Sequence, residues 1–272
     1  MKLKLRERSP LWRRVVRTLG RQLFRLAENN DDPRLTHNGE GWLLRQILGA
    51  HAEGPERQRP FRVFDAGANA GDYTRLVREL AKATRCAVEV HAFEPSPHGL
   101  EILRREFGAA PAVWIVGAAL SDRVGEAALH DGKAGSSQAS LVARAVRDAE
   151  VAGEIAVPLM RLGDYLEKRA ITRVDFLKLD VEGSELAALR GLGAWLRPEV
   201  VDAIQFEYGG TAIDAGTTLR DLYRLLESRG YLMAKLFPAA IEVRDYRPWM
   251  EHYVYANYVA LSPRWRTARS GS

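Results

Sequence analysis

The chain has 272 residues, with 46% hydrophobic and 28% charged side chains, which excludes wholesale disorder and collagen-like repetition. A single cysteine, Cys86, excludes an intrachain disulfide and a Cys-rich zinc site and fits a reducing, cytoplasmic setting. The net charge of +5 is unevenly spread: residues 1–25 hold nine basic residues against Glu7 alone, and the other 31 basic and 34 acidic side chains leave the rest slightly negative.

A nucleic-acid-binding body carries its charge on the body, so nucleic acid is not an expected partner. No apolar run is long enough for a membrane span, and no uninterrupted apolar core follows the N-terminal charges as a secretory signal requires.

In chain order, Leu11, Val15, Leu19, Leu23 and Leu26 recur at helical spacing, with Trp12 and Val16 widening the stripe and Arg13, Arg14, Arg17, Arg21 and Arg25 covering the rest. Two readings are open. The helix docks its stripe on the following domain, or it lies on an anionic membrane surface, leaving the chain membrane-peripheral. Residues 28–40 read as a loop, Gly41–Ala50 as a short helix and 51–60 as a linker.

A rhythm of strand and helix follows: strands at 61–66, 88–93 and 112–116, helices at 73–83 and 96–107. This predicts right-handed crossovers and a parallel sheet. Residues 117–162 interrupt it, with a Gly-, Ser- and Ala-rich loop at 131–140. Further strands are predicted at 174–179, 201–206, 231–237 and 253–261, with helices at 185–192 and 217–229. The last two strands have no convincing helix between them and suit an antiparallel edge hairpin.

The strongest chemical signal is Asp65-Ala-Gly67-Ala-Asn69-Ala-Gly71, where a buried strand runs into a Gly-rich turn and a helix. Gly67 allows close approach of a ligand, and Gly71 opens a helix whose free N–H groups suit a small anion. Asp65 ends the strand, where an ammonium or hydroxyl could meet it. Asn69 stands where a dinucleotide fingerprint needs its middle glycine, which argues against a nicotinamide-dependent oxidoreductase. The second strand ends in Ala92-Phe-Glu94-Pro95, placing a carboxylate where doubly wound folds bind ribose hydroxyls. Glu94 also reads as a cap for the next helix.

These two stretches resemble the first two motifs of class I S-adenosylmethionine-dependent methyltransferases. The set more narrowly resembles the FkbM family through Gly117-Ala-Ala-Leu-Ser121-Asp122, Val174-Asp-Phe-Leu-Lys178-Leu-Asp180-Val-Glu182-Gly-Ser-Glu185 and Ile204-Gln-Phe-Glu207. The resemblance spans about residues 38–262. It implies a doubly wound, mostly parallel α/β sheet of seven strands in the order 3-2-1-4-5-7-6, with S-adenosyl-L-methionine as cofactor. It also implies an acceptor oxygen, often on a sugar or polyketide, although some similar enzymes methylate peptide nitrogen. Asp122 lies where the family contacts the adenine end. Tyr73 and Thr74 are expected to line the same pocket.

On the fourth strand, Phe176, Lys178 and Asp180 share one face, and burial of the last two requires that they pair. The pair reads either as a structural ion pair or, with Glu182, as the group that orients an acceptor. Asp180, Glu182 and Glu207 are the candidate proton acceptors, and no metal site is expected. The organisation expected is an N-terminal basic extension and linker (residues 1–50), a methyltransferase domain (51–263) and a tail (264–272). The rival to an enzyme is a non-catalytic module of the same fold, tethered by its basic arm.

Overall fold

The computed structural model describes residues 10–30, 32–131, 139–142 and 153–265. The first nine residues of the basic arm, most of the Gly-rich loop and residues 266–272 of the expected tail lie outside the described residues. Two helices open the chain, α1 (Leu11–Glu28) and α2 (Glu40–Glu53). Then come β1 (Phe61–Ala66), α3 (Asp72–Thr84), β2 (Val88–Phe93), α4 (Pro97–Phe107) and β3 (Val113–Val116). Three further strands, β4 (Ala119–Leu120), β5 (Gly125–Asp131) and β6 (Gly153–Met160), precede α5 (Leu162–Lys168). The remainder is β7 (Val174–Leu179), α6 (Glu185–Arg190), β8 (Val201–Tyr208), α7 (Thr211–Asp214), α8 (Leu219–Ser228), β9 (Leu232–Phe237), β10 (Ala240–Val243) and β11 (Ala256–Leu261).

The main sheet has eight strands in the order β10-β9-β11-β8-β7-β1-β2-β3. Its centre is parallel, and β11 runs antiparallel between β8 and β9. The seven expected strands keep the expected order, but the sheet has one strand more. β10 turns back on β9 through Pro238 and Ala239 and takes the edge in place of the last two strands. Its four residues are half-buried or exposed and include Glu242, so no apolar run marks it. Charge on a short edge strand also blocks further pairing.

The central strands are buried on both faces, which is why they read as continuous apolar runs. On one side Phe61 and Val63 of β1 pack against Leu44 and Leu48 of α2 and Val77 of α3. On the other, Phe64, Leu177 and Ile204 pack against Leu166 of α5, Leu189 of α6 and Leu222 of α8. Thus α2, inside the span assigned to the extension, belongs to the domain's core. The segment after β3 is also more ordered than expected: β4, β6 and β5 form a second, three-stranded sheet. Among the described residues its buried face is Ala119, Leu129, Val157 and Leu159, with Ala127, Ala139 and Leu141 against it, too scattered to show as a run. The stripe of α1 does not dock on the domain. No residue of that helix is buried.

The amino end of β7 is fixed by charge. Asp175 is wholly buried and accepts two hydrogen bonds from the Arg59 guanidinium at 2.6 Å, one from the Arg62 backbone at 2.8 Å and one from Arg173 at 3.1 Å. Burial alone would raise its pKa, but these donors outweigh it and hold the carboxyl below 3.8. Asp175→Asn should lower stability by about 3 kcal/mol, since it removes the buried charge partner of Arg59 and Arg173 and leaves them the more exposed Glu56. Because the native pKa is depressed, this contribution is present above pH 3.8 and is lost as the pH falls below it. Urea melts of both proteins at neutral pH and below 3.8 check this; a difference that persists at low pH would contradict it.

Candidate active site

Chain order reverses between β1, with β2 on one side, and β7 on the other, which opens a crevice at the carboxyl ends of these strands. A cleft of about 780 Å³, open to solvent, lies there. Gly67, Asn69, Glu94, Pro95, Asp180 and Glu182 line it, so six of the expected site residues meet on one surface. Ala118, Ala119, Leu120, Leu129, Ala139 and Leu141 add an apolar wall from the region of the small sheet. Ser140 ties that wall to the opposite rim by donating to the Glu182 carbonyl at 2.7 Å.

The glycine turn is held from three sides. The amides of Gly67 and Ala68 donate to the Phe93 carbonyl at 2.9 and 3.0 Å. A Cβ on Gly67, whose φ is +82°, would lie 1.8 Å from the Asp180 carbonyl oxygen, so only glycine lets β1 and β7 deliver their ends this close. Glu94 completes the turn: one carboxylate oxygen accepts from the Asn69 amide and the other from the Ser96 amide, both at 2.8 Å. Ser96 is the side-chain cap of α4, accepting from Gly99. Glu94 therefore buttresses the loop and the helix start together. Each of its oxygens still has lone-pair capacity toward the cleft.

Behind the cleft lies a cluster of charge around one ammonium. Lys178 is 3% exposed, sits 2.8 Å from an Asp180 carboxylate oxygen and 3.9 Å from Glu40, and lies over the Tyr73 ring. Burial opposes its charge, but Asp180, Glu40, Glu207 and Asp65 outweigh that and hold its pKa well above the usual lysine value. Those carboxyls also oppose one another. Burial first, then Asp180, pushes Glu207 well up. Burial pushes Asp65 up to about 6, against Lys178 and a 2.7 Å bond from Thr74.

The sequence places several residues at the cleft that the structure puts elsewhere. Asp65 and Thr74 are fully buried behind the glycine turn, bonded to each other. Tyr73 is buried beneath Lys178 rather than beside a ligand. Gly71 opens α3 at φ +85°, and a Cβ there would lie 2.5 Å from the Phe107 ring, so this position also needs glycine for helix packing. Ser121 and Asp122 are not among the described residues that line the cleft; Ser121 is buried and Asp122 exposed. Lys178 and Glu207 stand behind the lining rather than in it. Among the described residues no three His, Cys, Asp or Glu side chains assemble as a metal site, and Asp180, Glu182 and Glu207 do not converge.

Other members of the cluster have no sequence motif. Glu40, at the start of α2, is fully buried and accepts from Asn38 at 2.6 Å and from Gln205 at 2.7 Å. Gln205 also donates to Asn257 at 3.0 Å, Asn257 donates to the Tyr255 hydroxyl at 3.1 Å, and that hydroxyl donates to Glu207 at 3.0 Å. Of these, Gln205 falls in a stretch that the sequence singles out, Ile204-Gln-Phe-Glu207.

A family model described as the methyltransferase FkbM domain matches residues 65–233, more than half of the chain. The chain belongs to the FkbM methyltransferase family. S-Adenosyl-L-methionine is its cofactor. No curated protein matches the sequence. Among solved structures, it is similar to the methyltransferase FkbM from Methylobacillus flagellatus (17% identity, 74% of this chain and 43% of that one, TM-score 0.45). It is also similar to the N-terminal domain of human METTL16 in complex with SAH (12% identity, 90% and 81% covered, TM-score 0.45). A third likeness is to the CMeT domain of the citrinin polyketide synthase (13% identity, 75% and 47% covered, TM-score 0.40). The chain spans less than half the length of the Methylobacillus protein.

The residues present fit this cofactor. A ribose diol needs an acceptor with spare lone pairs at the cleft, which Glu94 supplies, and an adenosine needs an apolar slot, which Pro95, Ala119 and Leu120 border. Glu94→Ala should weaken cofactor binding by about 1–3 kcal/mol, because it removes that acceptor and frees the Asn69 amide. Titration calorimetry giving an unchanged affinity would remove Glu94 from the site.

The rim itself titrates. Glu185 is buried and accepts from the Gly183 and Val181 amides at 3.2 and 3.3 Å, fastening the loop that carries Glu182. Burial pushes its carboxyl up from 4.5 to about 7. A raised acid binds its proton more tightly in the folded state. Its stabilising contribution is therefore full below pH 4.5 and is lost as the pH rises through about 7. The melting temperature of wild type relative to Glu185→Gln should fall across that window and then level off. A difference independent of pH would contradict this.

Proposed function

We propose that this FkbM-family chain transfers the methyl group to a hydroxyl oxygen of a small-molecule acceptor, a sugar, polyketide or similar natural product. When bound, the cofactor supplies an electrophilic methyl carbon on a sulfonium. The chain's own task is to position an acceptor and to take its proton. The observation that carries the proposal is Asp180. Its carboxylate lines the cleft that holds Glu94 and the glycine turn, and Lys178 fixes it at 2.8 Å. A hydroxyl must lose its proton at or near transfer, whereas a neutral amine attacks before losing one. A fixed carboxylate at the transfer end therefore favours oxygen.

In this reading the chain holds the acceptor hydroxyl against Asp180, which takes its proton as the oxygen is methylated. Lys178 is a positioning residue. Glu207, whose pKa burial and then Asp180 raise, is not among the residues that line the cleft, so Asp180 is the nearer proton acceptor in this reading. Glu182 lines the same cleft and is the control for Asp180.

Mass spectrometry over a panel of sugars, polyketides, peptides and nucleic acids, with the cofactor added, tests the acceptor class. Gain of one methylene mass on a hydroxyl compound is expected. Methylation confined to peptide nitrogen or to a nucleic acid would overturn the class. With the acceptor found, Asp180→Asn should slow turnover by a factor of about 10²–10⁴, with a much smaller change in cofactor affinity. Normal turnover with a lowered melting temperature would show that Asp180 serves only as a structural ion pair.

A further inference from the structure

We propose that α1 is an interfacial helix that seats this chain on an anionic membrane surface. The helix is amphipathic, yet it turns its polar side to its own domain. Its attachments include Phe24, edge-on to Trp249 and His252 at 6.2 and 5.3 Å, and Glu28, bonded to Arg244 at 2.6 Å and to Lys235 at 3.2 Å. At about 100° per residue, Phe24 and Glu28 fall among the arginines, roughly opposite the centre of the apolar stripe. The stripe from Leu11 to Leu26 consequently faces outward along the whole helix: Leu11 is 73%, Leu19 53% and Leu26 82% exposed. Trp249, beside the anchored end, is itself 53% exposed.

Solitary exposed apolar side chains are ordinary, but a continuous stripe of this kind marks an interaction surface. Charge decides which. Between Leu11 and Ala27 the helix carries five arginines and no acidic residue, and the preceding nine residues add Lys2, Lys4, Arg6 and Arg8 against Glu7. The arginines begin on both flanks of the stripe. Two copies pairing along it would bring those like charges together. A bilayer with anionic headgroups meets both requirements: the stripe enters the acyl boundary and the flanking guanidiniums reach the phosphates. No helix among the described residues is long and apolar enough to cross a membrane, so the contact lies in the plane of the surface. This inference does not depend on the acceptor or on the methyl-transfer proposal.

Co-sedimentation of the full chain with vesicles tests it. The chain should pellet with phosphatidylcholine vesicles containing phosphatidylglycerol and not with phosphatidylcholine alone, and high salt should weaken the binding. Leu19→Glu with Leu23→Glu should abolish pelleting while cofactor binding, read by calorimetry, stays unchanged and reports the fold. Arg13→Gln and Arg21→Gln should each lower the partition coefficient by about fivefold. Failure to pellet with the anionic vesicles would overturn the proposal. So would a concentration-dependent dimer that Leu19→Glu dissolves.

Discussion

One buried ammonium organises the catalytic end of this protein. Lys178 sits on a central strand with almost no access to water, and an isolated charge there would cost many kcal/mol. The fold answers with carboxyls from four separate elements: Asp180 beyond β7, Glu40 on α2, Glu207 on β8 and Asp65 on β1. Four acids around one base are too many to be ionised together in a dry setting. Burial first, and then the neighbouring carboxyls, push Glu207 and Asp65 up. Of these acids Asp180 makes the short contact with Lys178, at 2.8 Å, and is the one that lines the cleft.

The same strand separates stability from chemistry by its two ends. At the amino end, Asp175 is saturated with donors from Arg59, Arg62 and Arg173 and is closed to any ligand. At the carboxyl end, Asp180 has one strong partner and an open side. The glycine turn is possible only because Gly67 lets its loop lie against the Asp180 backbone. The glycine turn and Asp180 are therefore built against each other, and a change in one is felt by the other.

What the sequence reveals follows from what is local. Strands buried on both faces appear as apolar runs, and the glycine turn and Glu94 lie within single short stretches. The site's inner half is not local. Nothing in spacing connects Glu40 with Lys178, or Asn257 and Tyr255 with Glu207; their meeting is a product of the sheet order and of α2 joining the core. β10 and the small sheet bury too few apolar side chains to leave a pattern. Asp65, Tyr73 and Thr74 illustrate the opposite error. They neighbour the loop in sequence but point behind it, because strand and helix each turn one side away from the cleft. The stripe of α1 is plain in the sequence, but its orientation depends on Phe24 and Glu28 meeting Trp249, His252, Arg244 and Lys235, more than 200 residues away.

The central claim is that one cleft holds the cofactor between Glu94 and Asp180. A crystal structure of the chain with S-adenosylhomocysteine tests it most directly. The account predicts the ribose hydroxyls on the Glu94 carboxylate and the thioether sulfur on the Asp180 side of the cleft, with the Lys178–Asp180 contact intact. A ligand seated elsewhere, or one whose ribose makes no contact with Glu94, would contradict it.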